Sequence, residues 1–243
     1  MKFFGATHIG MKRSSNQDAF TAIPFGKDGV CAVLCDGMGG VSGGQIASSL
    51  AVETIAAIVK SREKDQMDGD YIKSFMLEAI DAANRRIYQT GDTQEQFHGM
   101  GTTLELVICH QSNAYIAHIG DSRVYLLAEG DISQVSRDHS LVQEMIERGE
   151  LTPEQARAHP RKNIITRALG AGESVDTDFY EMELFAGDLL LLCSDGLTNM
   201  VEDDKICKIL QAEAPLDNCP QRLIEAANAA GGTDNITVVV IKN

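Results

Sequence analysis

Val30-Cys31-Ala32-Val33-Leu34-Cys35-Asp36-Gly37-Met38-Gly39-Gly40 is the stretch that decides the fold. Five apolar or small residues, Val30 to Leu34, lead straight into a carboxylate and a run of glycines. A short apolar run bounded in this way predicts a strand buried on both faces. Asp36 is then expected where the strand leaves the sheet. Gly37, Gly39 and Gly40 remove side chains just beyond it, so that the backbone can come close to something small. A carboxylate beside a bare carbonyl suits a hard divalent cation. An ordinary Asp-Gly turn is the plainer alternative, and this stretch alone leaves both open.

Working outward, residues 2–9 and 19–25 alternate as strands, and Gly26-Lys27-Asp28-Gly29 turns the chain into the strand at 30–35. Ser42 is placed to cap a helix running to about Lys60, with apolar positions from Ile46 to Val59 at helical spacing. A polar link, Ser61 to Asp68, leads to a second helix from about Asp70 to Gln89. Its apolar face is Ile72, Phe75, Met76, Ala79, Ile80, Ala83 and Ile87. Both faces read as core packing, and Gly91 to Gly99 reads as a flexible polar loop. A meander of strands follows at 101–109, 114–119 and 123–128, with a short fourth strand after Glu129-Gly130-Asp131. Residues 140–160 turn polar and carry Pro153 and Pro160, which predicts a small insertion with two short helices. Strands at 176–183 and 188–193, helices at 203–211 and 220–230, and a closing strand at 236–241 complete the chain. Strands in antiparallel runs and helices in pairs point to α+β layers rather than βαβ alternation.

At 243 residues the chain can build one large domain with a full core or two small ones. Six scattered cysteines (Cys31, Cys35, Cys109, Cys193, Cys207 and Cys219) include no Cys-x-x-Cys pair and read as reduced thiols. None has Arg six positions on, so a cysteine-nucleophile phosphatase loop is absent. A net charge of −14 argues against nucleic acid or an acidic membrane as the main partner. It allows a phosphorylated substrate if bound cations reverse the field locally. No run of 18 apolar residues exists, and Met1-Lys2-Phe3-Phe4-Gly5 has no signal-peptide pattern, so the expected location is the cytoplasm.

Five aspartates share one local setting. Asp36 and Asp195 each precede glycine after an apolar strand; Asp121 follows Ile119-Gly120; Asp234 follows Gly231-Gly232-Thr233; Asp18 closes Arg13-Ser14-Ser15-Asn16-Gln17-Asp18. Each alone is a plausible turn residue. Together, at strand ends that converge, they repel one another and need compensation. Divalent cations are the economical compensation, and all-oxygen donors favour Mg²⁺ or Mn²⁺ over zinc.

At this point the sequence resembles the bacterial form of the PP2C-type (PPM) metal-dependent Ser/Thr protein phosphatases. The resemblance covers nearly the whole chain, in order. It is carried by the 13–18 and 35–40 stretches, Gly101-Thr102-Thr103, Ile119-Gly120-Asp121-Ser122-Arg123 and Asp138-His139-Ser140-Leu141-Val142. Asn163-Ile164-Ile165-Thr166-Arg167-Ala168-Leu169-Gly170, Ser194-Asp195-Gly196-Leu197 and Gly232-Thr233-Asp234-Asn235-Ile236-Thr237 complete it. It implies a four-layer α/β/β/α sandwich of two mainly antiparallel sheets flanked by helix pairs. It also implies a single domain over 1–243 with a small flap-like insertion at about 138–172. In this family two metal ions share a water that attacks phosphorus directly. Carried over, Asp36 is the carboxylate shared by both metals, Asp195 and Asp234 complete the first site, and the Gly37 carbonyl joins the second with help from Asp18. Asp121 with Asp195 holds a weaker third ion. Arg13 is the phosphate clamp, since its planar fork matches phosphate oxygens as Lys cannot.

Two departures stand out. Met38 occupies the place where many eukaryotic members carry a histidine acid, which leaves water to protonate the leaving group. Val41 and Gln45 stand where bacterial members often have a histidine and an acidic residue. Of the remaining histidines, His118 reads as a packed strand residue and His139 as fixing the start of the insertion. His159 sits in the flap-like segment, within possible reach of substrate. Thr7, His8, Gly10 and Met11 read as strand-end structure. The activity implied is hydrolysis of phosphoserine and phosphothreonine on proteins, opposing a bacterial Ser/Thr kinase and its substrates, by a monomer. The alternatives are a catalytically weak partner-switch binding module on the same fold, or a sibling enzyme dedicated to one regulatory protein.

Overall fold

The structure, a computed structural model, describes residues 1–40, 42–62, 67–212 and 215–243. Strands β1 (Lys2–His8), β11 (Ile236–Lys242), β10 (Leu189–Cys193), β7 (Arg123–Ala128) and β8 (Asp131–Gln134) form one sheet in that order. Strands β2 (Asp18–Phe25), β3 (Gly29–Met38), β5 (Leu104–His110), β6 (Asn113–Ile119) and β9 (Asp178–Glu183) form the other, with β4 (Gly101–Thr102) paired to the end of β3. Every pairing is antiparallel.

The pleat of the central strands builds the layers, because alternate side chains point to opposite faces. On β3, Val30, Ala32 and Leu34 face the first sheet and meet Val124, Leu190, Leu192 and Val239 in the inter-sheet core. Cys31, Val33 and Cys35 face the other way, against helices α1 (Gly43–Arg62) and α2 (Gly69–Thr93). The first sheet likewise turns Leu191, Cys193, Val238 and Val240 toward α5 (Asp195–Thr198), α6 (Asp203–Gln211) and α7 (Cys219–Ala229). Three core layers between four layers of secondary structure make the expected α/β/β/α sandwich. Leu34 and Leu192 are fully buried between the sheets. Truncating either to alanine costs about 2–5 kcal/mol.

Several local expectations need correction. The strand from Val30 does not stop at Asp36: it runs through Met38, because β4 continues the ladder with Gly37 opposite Thr102. The strand expected at 101–109 is instead broken at Thr103, which bonds back to Asp36. Helix α2 continues to Thr93, and a 3₁₀ turn at Glu95–Phe97 follows, so 91–99 is not an irregular loop. Helix α1 starts at Gly43, directly after Ser42, and its Ile46 N–H reaches the Ser42 carbonyl. Half of the link expected at 61–68 lies outside the described residues, as does Val41. Residues 138–172 carry two short helices, α3 (Leu141–Glu147) and α4 (Pro153–Arg157), the second held by a Thr152–Gln155 capping box.

Candidate active site

The sandwich brings Arg13, Asp18, Asp36, Gly37, Asp121, Asp195 and Asp234 to one end of the two sheets. Asp18 and Asp36 are direct cross-strand partners in the β2–β3 ladder. Like charges set opposite each other in this way destabilise a sheet. Burial raises the Asp36 pKa well above the usual range, and Asp18, Asp195, Asp121 and Asp234 push it further. Burial likewise lifts Asp18 to about 7, against the Thr237 and Ser194 hydroxyls that favour its ionised form. Asp195 rises to about 6, by burial and then Asp234, with Lys162 and Arg13 pulling down. Asp121 is raised by burial and by Asp195 and Asp138, partly offset by Arg123. Each of these carboxylates therefore feels others of the set.

The backbone and hydroxyl framework aims them. Ser194 Oγ and Thr237 Oγ1 donate to Asp18 Oδ2 at 2.9 and 2.6 Å. Asp18 Oδ1 is left buried without a partner. Asn199 Nδ2 holds Asp195 Oδ2 at 2.9 Å, and Asp195 Oδ1 is again buried and unpartnered. The Asp36 backbone is gripped by Thr103, whose N–H donates to the Asp36 carbonyl while its Oγ1 accepts from the Asp36 N–H, both at 2.9 Å. Thr103 Oγ1 also meets Ser122 Oγ at 2.8 Å, next to Asp121. On the other side, Arg13 Nη2 donates to Asp234 Oδ2 at 2.6 Å.

The glycine at 37 has a role beyond clearing ground for a small ligand. A Cβ there falls 2.0 Å from the Gly44 carbonyl, so its bareness lets the start of α1 pack on β3. Gly44 returns the relation: a Cβ on it would lie 2.5 Å from the Gly37 oxygen, which would cover that carbonyl. Gly10 has φ +81°, and a Cβ there would strike the Asp234 carbonyl at 2.1 Å. Only glycine lets the Arg13 loop lie against the Asp234 turn.

This donor set fits hard divalent cations. It is all oxygen, it is mutually repulsive, and two of its buried oxygens have no hydrogen-bond partner. An unpartnered buried carboxylate oxygen is costly unless something positive meets it. As placed, no three His, Cys, Asp or Glu side chains among the described residues close on a single point. The Arg13 guanidinium occupies one face of Asp234 instead.

Sequence reasoning missed the supporting residues. Asn235 is the chief of them: Oδ1 accepts from the Gln17 N–H at 2.8 Å, and Nδ2 donates to the Ile9 and Ser15 carbonyls at 3.0 and 2.9 Å. A buried Asn beside Asp234 was the available signal. Glu105 was also overlooked; it is fully buried and faces His118 Nδ1 at 2.5 Å. His118 is thus an ion-pair partner as well as a packed side chain. His139 clips the insertion to the Asp121 loop, donating its N–H to the Gly120 carbonyl at 2.6 Å and accepting from the Gly120 N–H at Nδ1. His159 only braces its own turn, accepting from the Arg161 N–H.

Known proteins match this architecture closely. The family model for protein phosphatase 2C matches residues 4–230. The protein phosphatase PhpP of Streptococcus pneumoniae is 40% identical over 235 residues, covering 97% of this chain and 94% of its own. The structure of the S. agalactiae serine/threonine phosphatase superposes with a TM-score of 0.93 at 39% identity, over 100% of this chain and 99% of its own. The catalytic domain of the serine/threonine protein phosphatase PstP, solved in complex with two manganese ions, gives 0.87 at 34% identity over 98% and 96%.

Proposed function

The chain belongs to the protein phosphatase 2C family, and from that premise we propose how its own residues carry the reaction. It is a metal-dependent protein serine/threonine phosphatase, acting on phosphorylated proteins. The observation that supports the site assignment is the meeting of five mutually repelling carboxylates with Arg13 at one end of the sandwich.

Two divalent cations, Mn²⁺ or Mg²⁺, are assigned to this end, as the two manganese ions of PstP support. Asp36 would serve both, Asp195 and Asp234 would complete the first, the Gly37 carbonyl and Asp18 would hold the second, and Asp121 with Asp195 would hold a weaker third. Bound there, such ions lower the pKa of a water for attack on phosphorus and offset charge on the phosphoryl oxygens. Arg13 orients the phosphoryl group by leaving Asp234 for two of its oxygens; its side chain is half exposed and free to turn. Ser194 and Thr237 keep one oxygen of Asp18 tied and the other presented.

Among the described residues no side chain is assigned the role of nucleophile. Cys31, Cys35, Cys109 and Cys193 are fully buried, and burial pushes their thiols far above neutrality. Met38 offers no proton, so solvent protonates the departing serine or threonine oxygen. Residues 138–172 act as a flap within one domain, rooted through His139. A monomer in the cytoplasm opposing a Ser/Thr kinase completes the reading; among the described residues no helix is long and apolar enough to cross a membrane.

Phosphate release from a phosphothreonine peptide with Mn²⁺ tests the assignment. Activity should vanish with a chelator and fall at least a thousandfold in Asp36→Asn. Full activity in Asp36→Asn or Asp195→Asn overturns it.

A further inference from the structure

A cleft of about 710 Å³ opens beside the carboxylate end, with Asp121 and Asp195 among the residues that line it. One wall is the flap, α3 and α4; the other is α5 and the start of α6. Resting on the phosphatase reading above, we infer that this cleft receives a cationic side chain of the substrate, an Arg or Lys close in sequence to the phosphorylated residue.

The charge pattern of the two walls carries the inference. The bases that line the cleft are already engaged. Arg123 forks onto Asp138, with Nη2 at 2.7 Å. Arg157 pairs with Glu202 and donates to the Thr198 carbonyl. Lys162 donates to Asn199 Oδ1 at 3.0 Å. Three acids on the outer walls have no basic partner among the described residues: Glu154 on α4, facing Asp203 and Asp204 across on α6. Among the described residues Asp203 accepts from the Tyr125 hydroxyl, at 3.1 Å, and Glu154 is held by the neighbouring Thr152 side chain.

A ligand that fits must therefore be anionic where it meets Arg13 and cationic a short distance away. The flap wall adds the aliphatic surfaces of Val142, Ile146 and Pro153. A Lys or Arg stem can lie along such a surface while its head reaches the acids. A plain polypeptide offers nothing to these carboxylates, and an acidic one is repelled.

Acids in a first helical turn have a bland explanation, since they complement the helix dipole. That role affects stability and is blind to the sequence of the substrate. The test uses phosphothreonine peptides that differ only in carrying Arg, Gln or Glu within three residues of the phosphothreonine. At low ionic strength the Arg peptide should exceed the Glu peptide about tenfold in kcat/KM, and 0.5 M NaCl should shrink the ratio. The combined variant Glu154→Gln, Asp203→Asn, Asp204→Asn should bring the ratio close to one, with Asp204→Asn alone moving it part of the way should the triple variant not fold. Equal turnover of all three peptides overturns the inference and leaves the phosphatase reading standing. A preference that survives the substitutions overturns it too. No turnover of any peptide overturns both.

Discussion

Arg13 and Asp234, 221 positions apart in the chain, are joined by a 2.6 Å hydrogen bond at the edge of the carboxylate cluster. The bond to Asp234 holds the guanidinium more firmly protonated, with Asp195 and Asp36 adding to the effect. The same cation that steadies the acidic cluster is the one proposed above to bind the phosphoryl group. Arg13→Ala should lower kcat/KM by about 10–100-fold, the worth of a charge-assisted bond to phosphate. Mn²⁺ affinity by calorimetry should hold or rise, because a competitor for Asp234 is gone. Arg13→Lys should recover only part of the loss, as a point charge lacks the fork. A fall in metal affinity parallel to activity would make Arg13 a structural residue.

Asn235 ties three separate backbone groups of residues 9–17 to the Asp234 turn. Asn235→Ala should destabilise the fold by about 2–3 kcal/mol through three lost hydrogen bonds. It should also raise KM, because the Arg13 loop loses its seat. Asn235→Asp should be no better: a carboxylate can accept from Gln17 but cannot donate to Ile9 or Ser15. Thermal unfolding beside a KM and kcat split checks this, and an unchanged KM at reduced stability would remove the positioning role.

The layered fold was legible because apolar runs and helical faces repeat along the chain at their own periods. Asp36, Asp121 and Asp195 stand out in the sequence because each is beside glycine or serine at the end of such a run, Asp234 because it follows Gly231-Gly232-Thr233, and Asp18 because it closes a polar loop before a strand. What could not be read was anything set by register. Glu105 lies opposite His118 only because a turn at Gln111 and Ser112 pairs His110 with Asn113. The continuation of β3 through Met38 depends on β4, which is two residues long and has no pattern of its own. The walls of the cleft come from residues 142–157 and 198–204, remote in sequence and joined by Arg157 and Glu202.

The Glu105–His118 pair sets a pH dependence of stability. Burial alone would lower the His118 pKa, yet Glu105 and the Arg137 carbonyl raise it overall. Burial lifts Glu105 to about 7, with His118 opposing. Imidazole Nε2 lies 2.8 Å from the Arg137 carbonyl, which can only accept, and Nδ1 lies 2.5 Å from Glu105 Oε1, so the buried pair holds a proton between them. A folded pKa above the unfolded value of about 6.5 contributes stability fully present below that pH. That contribution is lost as pH rises through the folded value, and the raised Glu105 acts in the same direction. Chemical denaturation in saturating Mn²⁺ should show stability falling from pH 6 to pH 9. Glu105→Gln should be less stable at pH 6 by about 3 kcal/mol, with a flatter slope. An equal slope in the variant would assign the pH dependence elsewhere.

Asp36, proposed above as a metal ligand, sits at a cost to the metal-free fold. It is a buried carboxylate opposite Asp18 and under the field of three more. Asparagine has nearly the same shape and no charge, so Asp36→Asn should stabilise the chelator-treated protein by about 1–3 kcal/mol, in the range set by removing an uncompensated buried charge. For a chain of this size that is an upward shift in Tm of about 2–10 °C. Mn²⁺ should raise the Tm of the parent protein through binding to the folded state alone, and do so much less in the variant. Stability and activity would then move in opposite directions at one residue. If Asp36→Asn instead unfolds at a lower temperature in chelator and keeps the full Mn²⁺-dependent rise, the cations do not share Asp36.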